Sequence, residues 1–196
     1  MAPAIKTATA SDQDKTIATI VLAFATDPMA RWSYPDPHAY LKHFPALVRA
    51  MAGKAFERGT AYYVEGFPGA ALWLPPHVEP AMDELMALAQ RTVREQIHGD
   101  MMSVVEQMGR YHPAEPHWYL PMIGVDPSRQ GKGYGSALLE HALVACDRKN
   151  EPAYLESSNP RNVPLYERHG FQLLGKIQVG SSPTMFPMLR KPRSRF

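Results

Sequence analysis

Trp118-Tyr119-Leu120-Pro121-Met122-Ile123-Gly124-Val125, then Asp126-Pro127-Ser128-Arg129-Gln130-Gly131-Lys132-Gly133-Tyr134-Gly135-Ser136, then Ala137-Leu138-Leu139-Glu140-His141-Ala142-Leu143-Val144-Ala145 is the stretch on which the fold turns. The first segment is apolar and aromatic, as a buried strand requires. In the last, Leu138, Leu139, Ala142, Leu143 and then Cys146 fall on one face of a helix. Between them, Gly131, Gly133 and Gly135 stand at every second position. A helix start leaves backbone N–H groups unpaired and carries partial positive charge. Most helices cover it with a Ser, Thr, Asp or Asn side chain; here glycines stand instead. Such a start suits an anion, most often a phosphate or diphosphate. The other reading is a loop whose glycines only supply unusual backbone angles.

Three phosphate signatures can be compared with the loop. The nucleotide P-loop needs Gly-Lys-Ser or Gly-Lys-Thr, and neither occurs, since Lys132 precedes Gly133. The dinucleotide fingerprint fails at Ser136, where its third glycine should stand, although Glu156 lies near the distance of a ribose-binding acid. The third signature is Gln/Arg-x-x-Gly-x-Gly/Ala after a strand ending Val-x-Pro, met by Gln130, Gly133 and Gly135 after Val125-Asp126-Pro127. Downstream, Asn159-Pro160-Arg161-Asn162-Val163-Pro164-Leu165-Tyr166-Glu167-Arg168-His169-Gly170-Phe171 supplies a second motif, Asn followed by Leu-Tyr-x-x-x-Gly-Phe. Together they resemble the GCN5-related N-acetyltransferase (GNAT) family from about Trp118 to Leu174. Upstream, Phe24-Ala25-Thr26-Asp27-Pro28, Trp73-Leu74-Pro75-Pro76 and Pro116-His117-Trp118 make the layout similar to the puromycin N-acetyltransferase branch.

The resemblance implies a single-domain α/β (α+β) GNAT-like fold over residues 1–196. Its mixed, mostly antiparallel sheet has about six to seven strands, with helices on both faces and a splayed central strand pair. Acceptor-side helices and a lid would occupy about 11–112 and the acetyl-CoA-binding core about 117–174. Length agrees, since 196 residues suit one domain that buries about 70% of its unfolded surface. Lys plus Arg number 21 against 19 Asp plus Glu, a formal balance of +2 that makes no electrostatic case for nucleic acid or an anionic membrane. Arg190, Lys191, Arg193 and Arg195 read as a solvated tail. A single cysteine, Cys146, forms no internal disulfide and fits a reducing cytoplasm. No apolar run approaches a membrane span and no signal-peptide pattern opens the chain. A monomer or homodimer is expected.

Along the chain, Ile5 to Ala10 reads as a first strand, and Ser11 with Asp14 as the capping box of a helix buried through Ile17, Ile20, Val21 and Phe24. Asp27-Pro28 should end that helix, and Asp36-Pro37 should start another that Pro45 kinks or splits and Gly53 stops. Thr60–Val64 and Ala70–Leu74 read as a hairpin, and Pro80–His98 and a stretch capped by Asp100 as helices. Their methionines, Met82, Met86, Met101 and Met108, suit core packing better than a lid over an acceptor pocket. Ala153–Glu156, Phe171–Val179 and Thr184–Leu189 complete the strands.

The cosubstrate implied by the resemblance is acetyl-CoA, with no metal. Its diphosphate would lie on the backbone from Gln130 through Gly131, Lys132, Gly133, Tyr134 and Gly135 to Ser136. The pantetheine arm would pair with Ile123, Gly124 and Val125 as an added half-strand. One amide near Ile123 or Gly124 would face the thioester oxygen. Asn159 or Asn162 would bond the arm, with helix capping the competing role for Asn159. Tyr166 matches the tyrosine that acts as general acid toward the departing thiolate. The base is left open among His117, Tyr119, Glu115, Glu156 and a water chain. His112 and His117 stand in a proline-rich stretch that equally suits the surface. Phe24, Asp27, Trp32, Tyr34 and Trp73, with His117 and Tyr119, form the expected acceptor site, since aromatics with one acid suit a cationic amine bearing apolar parts. The expected reaction is direct acetyl transfer to the primary amine of a small molecule. A non-catalytic acyl-CoA sensor and a dinucleotide-binding oxidoreductase are the alternatives.

Overall fold

The computed structural model describes residues 3–193, so Arg195 of the expected basic tail lies outside the described residues. Seven strands form one sheet: β1 (Ile5–Thr7), β2 (Ala61–Val64), β3 (Gly69–Leu74), β4 (Trp118–Val125), β5 (Ala153–Ser157), β6 (Gln172–Leu173) and β7 (Phe186–Arg190). Their order is β1-β2-β3-β4-β5-β7-β6, and every neighbour pair is antiparallel except β4 with β5. The expected mixed, mostly antiparallel sheet is therefore present. The helices are α1 (Gln13–Ala23), α2 (Pro28–Ser33), α3 (Pro37–Ala52), α4 (Lys54–Glu57), α5 (Met82–Thr92), α6 (His98–Tyr111), α7 (Tyr134–Lys149) and α8 (Val163–Arg168).

The sheet separates two cores. On one side, α7 lays Leu138, Leu139, Ala142, Leu143 and Cys146 against Ala71, Trp73, Trp118 and Leu120. Leu138 and Leu139 are fully buried, each worth about 1.5–3 kcal/mol over an exposed side chain. Burial also raises the Cys146 thiol to about 12, so it packs as a small apolar residue at neutral pH. On the other side, Ile17 and Ile20 of α1 and Phe44 and Val48 of α3 pack on Leu72, Leu74, Tyr119 and Met122. Gly124 is fixed by this second layer, because a Cβ there would collide with that of Ala23.

The splay of the central strands has a local cause. β4 and β5 pair only at Trp118–Ala153 and Tyr119–Tyr154. Immediately afterwards the register of β4 against β3 shifts, Leu74 opposing Tyr119 and Leu72 opposing Met122. The extra residue is a β-bulge, which bends its strand. Pro121 within it has no N–H to offer β5. Beyond Tyr119, the β5-facing edge of β4 has no strand partner.

Several local expectations change. The first helix is preceded by a 3-10 turn whose start is held by Thr9 and Asp12, not Ser11 and Asp14: the Thr9 N–H donates to Asp12 Oδ2 at 3.0 Å. Asp27-Pro28 opens α2, with Asp27 Oδ1 accepting from the Ala30 N–H at 3.1 Å. Pro45 lies inside α3, which is assigned as one helix throughout. The helix expected over Pro80–His98 ends at Thr92, and Asp100 is no cap, since its Oδ2 accepts from the Ser181 N–H and hydroxyl. Phe171–Val179 yields only the two residues of β6 and an isolated bridge from Ile177 to Met185. Arg190 is no tail residue: it is 2% exposed and makes a bidentate pair with Asp147 on α7 at 2.8 and 2.9 Å.

Candidate active site

α7 begins with Gly133 at φ +80, and no side chain caps it. Gly131 has φ +76, and a Cβ added at either glycine would meet nothing within 4 Å. The backbone from Gly131 to Tyr134 thus fronts open space, a cradle with unpaired N–H groups at a helix start. These residues fit a diphosphate. Gly135 differs: a Cβ there would come within 3.3 Å of Leu165, so it serves the packing of α7 on α8. The Gln130 amide folds back toward the Val125 carbonyl at 3.4 Å, and Lys132 is exposed. The Ser136 hydroxyl is already hydrogen-bonded to His169 Nε2 at 2.6 Å, leaving its backbone as the group facing the cradle.

Asn159 Oδ1 accepts from the Arg161 N–H at 3.1 Å, so its side chain caps a 3-10 turn. Asn162 is exposed beside the start of α8. Tyr166 is 5% exposed and packs edge-on against Phe171. Burial and then the charge of Asp27 push its phenol well above the ordinary value, so it carries its proton at neutral pH.

On the α1/α3 side a chamber of about 650 Å³ opens under α5 and α6. Its wall includes Phe24, Tyr34, Phe44, Leu85 and Val104, together with most of the chain's 11 methionines, Met82, Met86, Met101 and Met108 among them. The methionine stripe expected as core is therefore chamber wall, because α5 and α6 stand off the sheet. Among the described residues, no lysine or arginine lines the chamber, whereas Asp27, Glu79, Glu115 and Glu156 do. Glu79 and Glu115 are exposed; Asp27 is 8% exposed and the Glu156 side chain 2%.

The inner end is polar. Along β5 and its continuation, Tyr154, Glu156 and Ser158 occupy alternate positions and so share one face. Asp27 Oδ2 accepts from the Ser158 hydroxyl at 2.5 Å. Burial raises the Asp27 carboxyl, with that bond and backbone N–H groups opposing. His112 Nε2 approaches Glu156 Oε1 to 3.1 Å without hydrogen-bond alignment, so this buried oxygen retains an unused acceptor site. The His112 ring packs on Tyr154 at 4.4 Å and Tyr119 at 4.8 Å between centroids. Burial, then the Glu156 charge, raises both phenols, and the Tyr154 hydroxyl has no partner. His117 also lines the chamber; burial lowers its pKa, with its Nδ1 2.9 Å from the Glu115 carbonyl.

Of the expected acceptor residues, Phe24, Asp27, Tyr34, His117 and Tyr119 line one chamber, and two do not. Trp73 is wholly buried in the α7-side core, because alternation along β3 turns it to the opposite face. Trp32 packs beside the α1/α3 core and donates its N–H to the Ser181 hydroxyl at 3.1 Å. From sequence, Glu156 is one base among several and His112 equally suits the surface. What joins them is the parallel β4–β5 crossover and the turn after α6, so their separation of 44 positions gave no local signal; the alternation Tyr154, Glu156, Ser158 was the available one.

The splayed strand pair thus lies beside an uncapped glycine cradle. Residues 81–171 match the model of the acetyltransferase (GNAT) family. An uncharacterized N-acetyltransferase of Schizosaccharomyces pombe is 27% identical over 97% of this chain and 84% of its own. The crystal structure of histone acetyltransferase HPA2 and related acetyltransferase from Corynebacterium glutamicum is 28% identical and superposes with a TM-score of 0.71 over 100% of this chain and 99% of that one. A Drosophila melanogaster polyamine N-acetyltransferase shares the fold at 16% identity, TM-score 0.65, over 96% and 99% of the two chains. These likenesses support an acyltransferase of the GNAT family.

Proposed function

We propose that the protein transfers acetyl from acetyl-CoA directly to the primary amine of a small molecule. The observation that carries this reading is the pairing of half-buried His112 with buried Glu156 at the end of the chamber where β4 and β5 part. The Gly131–Tyr134 backbone would hold the diphosphate, and the unpartnered edge of β4 at Ile123, Gly124 and Val125 the pantetheine arm. Bound acetyl-CoA supplies an activated acyl carbon; everything else falls to side chains of the chamber.

An amine enters protonated and must lose a proton before it attacks. His112 takes that proton, and Glu156 opposite it stabilises the resulting imidazolium. The amine nitrogen then bonds to the acyl carbon as the carbon–sulfur bond breaks. The departing thiolate takes a proton from Tyr166, whose buried phenol is protonated at neutral pH, and the second proton that the nitrogen loses on becoming an amide restores the phenol. Asn159 and Asn162 frame the start of α8, with Asn162 the one whose side chain is not used as a cap.

Purified protein with acetyl-CoA and an amine panel should release free thiol and yield products heavier by one acetyl group. Thermal shift by acetyl-CoA without thiol release for any amine would favour the non-catalytic sensor. A shift with NAD and none with CoA would sink the reading altogether. With CoA at a hundredfold excess over Kd the stabilisation should be about 2.7 kcal/mol.

A further inference from the structure

We infer that the acceptor is a monocationic amine carried on a bulky apolar body, and that this chamber rejects amino acids and polyamines. The inference rests on the acetyl-transfer reading for its chemistry and on the chamber wall for its selectivity. About 650 Å³ is room for a ring system or a branched chain well beyond a bare alkylamine. The wall that would touch that body is thioether and hydrocarbon: Met86, Leu85 and Ala89 from α5, Met101, Val104 and Met108 from α6. Thioethers are polarizable and adapt to the shape they meet, and contact aromatic rings favourably.

Charge complementarity fixes the other end. The inner pole holds two buried carboxylates, Asp27 and Glu156, and Glu156 Oε1 and the Tyr154 hydroxyl are buried without hydrogen-bond partners. A buried acceptor left open is costly and is answered by an N–H donor. An ammonium placed there meets carboxylates and no lysine or arginine, since among the described residues none lines the chamber; of its three histidines, His77, His112 and His117, it is His112 that becomes a cation in the proposed transfer, and only by taking the ammonium's own proton. The same absence works against an α-carboxylate, which would face Asp27 and Glu156 with no guanidinium or ammonium to pair with, His112 being already paired with Glu156. A second ammonium several carbons away would lie among methionines and leucines, desolvated and unpaired. Glu79 and Glu115 do not rescue it, because they are exposed, where water and salt screen them.

The test measures kcat/KM at saturating acetyl-CoA for 2-phenylethylamine, ethylamine, phenylalanine and spermidine, and measures binding of each by calorimetry. 2-Phenylethylamine should exceed ethylamine by roughly a hundredfold, the effect of burying a ring in an apolar pocket, and phenylalanine and spermidine by at least about that factor. In Met86→Arg, or in Met108→Arg should the first not fold, the 2-phenylethylamine to phenylalanine ratio should shrink by about tenfold, as a cation for the carboxylate enters the wall. Spermidine or phenylalanine as the better substrate would overturn the inference and leave acetyl transfer standing. Binding in the expected order with no acetyl transfer to any amine would leave the chamber's selectivity standing and remove the transfer reading. An unchanged ratio in both folded variants would place the apolar body outside this chamber.

Discussion

The two sides of the splay are built from different parts of the chain's chemistry. Beside α7 the surface is backbone: Gly131 and Gly133 at positive φ, open space where side chains would be, and a helix start with no cap. Beneath α5 and α6 the surface is side chain: a wall of thioethers closed at one end by His112, Glu156, Asp27 and Ser158. A backbone surface can be read by any ligand with the same anion and amide pattern, and it tolerates side-chain loss but not side-chain gain. A side-chain surface has the opposite tolerance. On the proposed reading, one half serves an invariant cosubstrate and the other a particular acceptor.

The largest effect should come from deleting a side chain on the acceptor half. His112→Ala should lower kcat/KM by about a hundredfold to ten-thousandfold, the range of general acid–base catalysis, with the affinity for CoA unchanged. A loss under threefold would mean that the chamber's pole does not take the proton. Next, Tyr166→Phe should lower kcat by about tenfold to a thousandfold with little change in CoA binding, provided presteady-state kinetics show chemistry to be rate-limiting. An unchanged kcat would remove the phenol from the reaction.

On the backbone half the sign of the substitution reverses. Gly133→Val adds a side chain at φ +80, a conformation that L residues reach at about 1–2 kcal/mol, and fills the cradle. CoA affinity by calorimetry should fall by about tenfold to a hundredfold, more than the change in melting temperature accounts for. Gln130→Ala, which only subtracts, should cost no more than about threefold in affinity, as the long hydrogen bond that its side-chain N–H donates to the Val125 carbonyl is weak. A large loss there would show that the loop binds through side chains after all and would erase the contrast. Smallest of all, Trp73→Phe should leave amine KM within about twofold, since the ring faces the other core and its buried N–H has no partner to lose.

The same contrast explains what could be read in advance. Backbone recognition demands glycine at fixed spacing and a strand–turn–helix around it, so the glycines after β4 marked the uncapped start of α7 and its place beside the sheet. Even there, Gly135 and Gly124 proved to be glycines for packing, against Leu165 and Ala23, which spacing does not distinguish from glycines for a ligand. Side-chain recognition leaves no spacing. Trp73 and Tyr34 are equally aromatic, and only alternation along β3 and the position of α2 decide that one is core and the other chamber. Strand parity was available for Trp73, had the inner face of β3 been known. The methionines of α5 and α6 have the period of a packed helix, and nothing local says that the surface they face is a cavity. Arg190 looked like a tail because its partner, Asp147, lies 43 positions away on another element.

The thioether wall has a consequence in redox chemistry. A peroxide adds one oxygen to a methionine sulfur and makes it a polar sulfoxide. Met82, at 40% exposed, is open to such an oxidant, and Met86 and Met108 line the same space. Oxidation would place strong acceptors where an apolar body has to lie, while Gly131 and Gly133 have nothing to oxidise. Mild peroxide should therefore raise the amine KM and spare CoA affinity, and methionine sulfoxide reductase should restore the KM: the acceptor half of the site is open to damage and repair, and the cosubstrate half is indifferent to both.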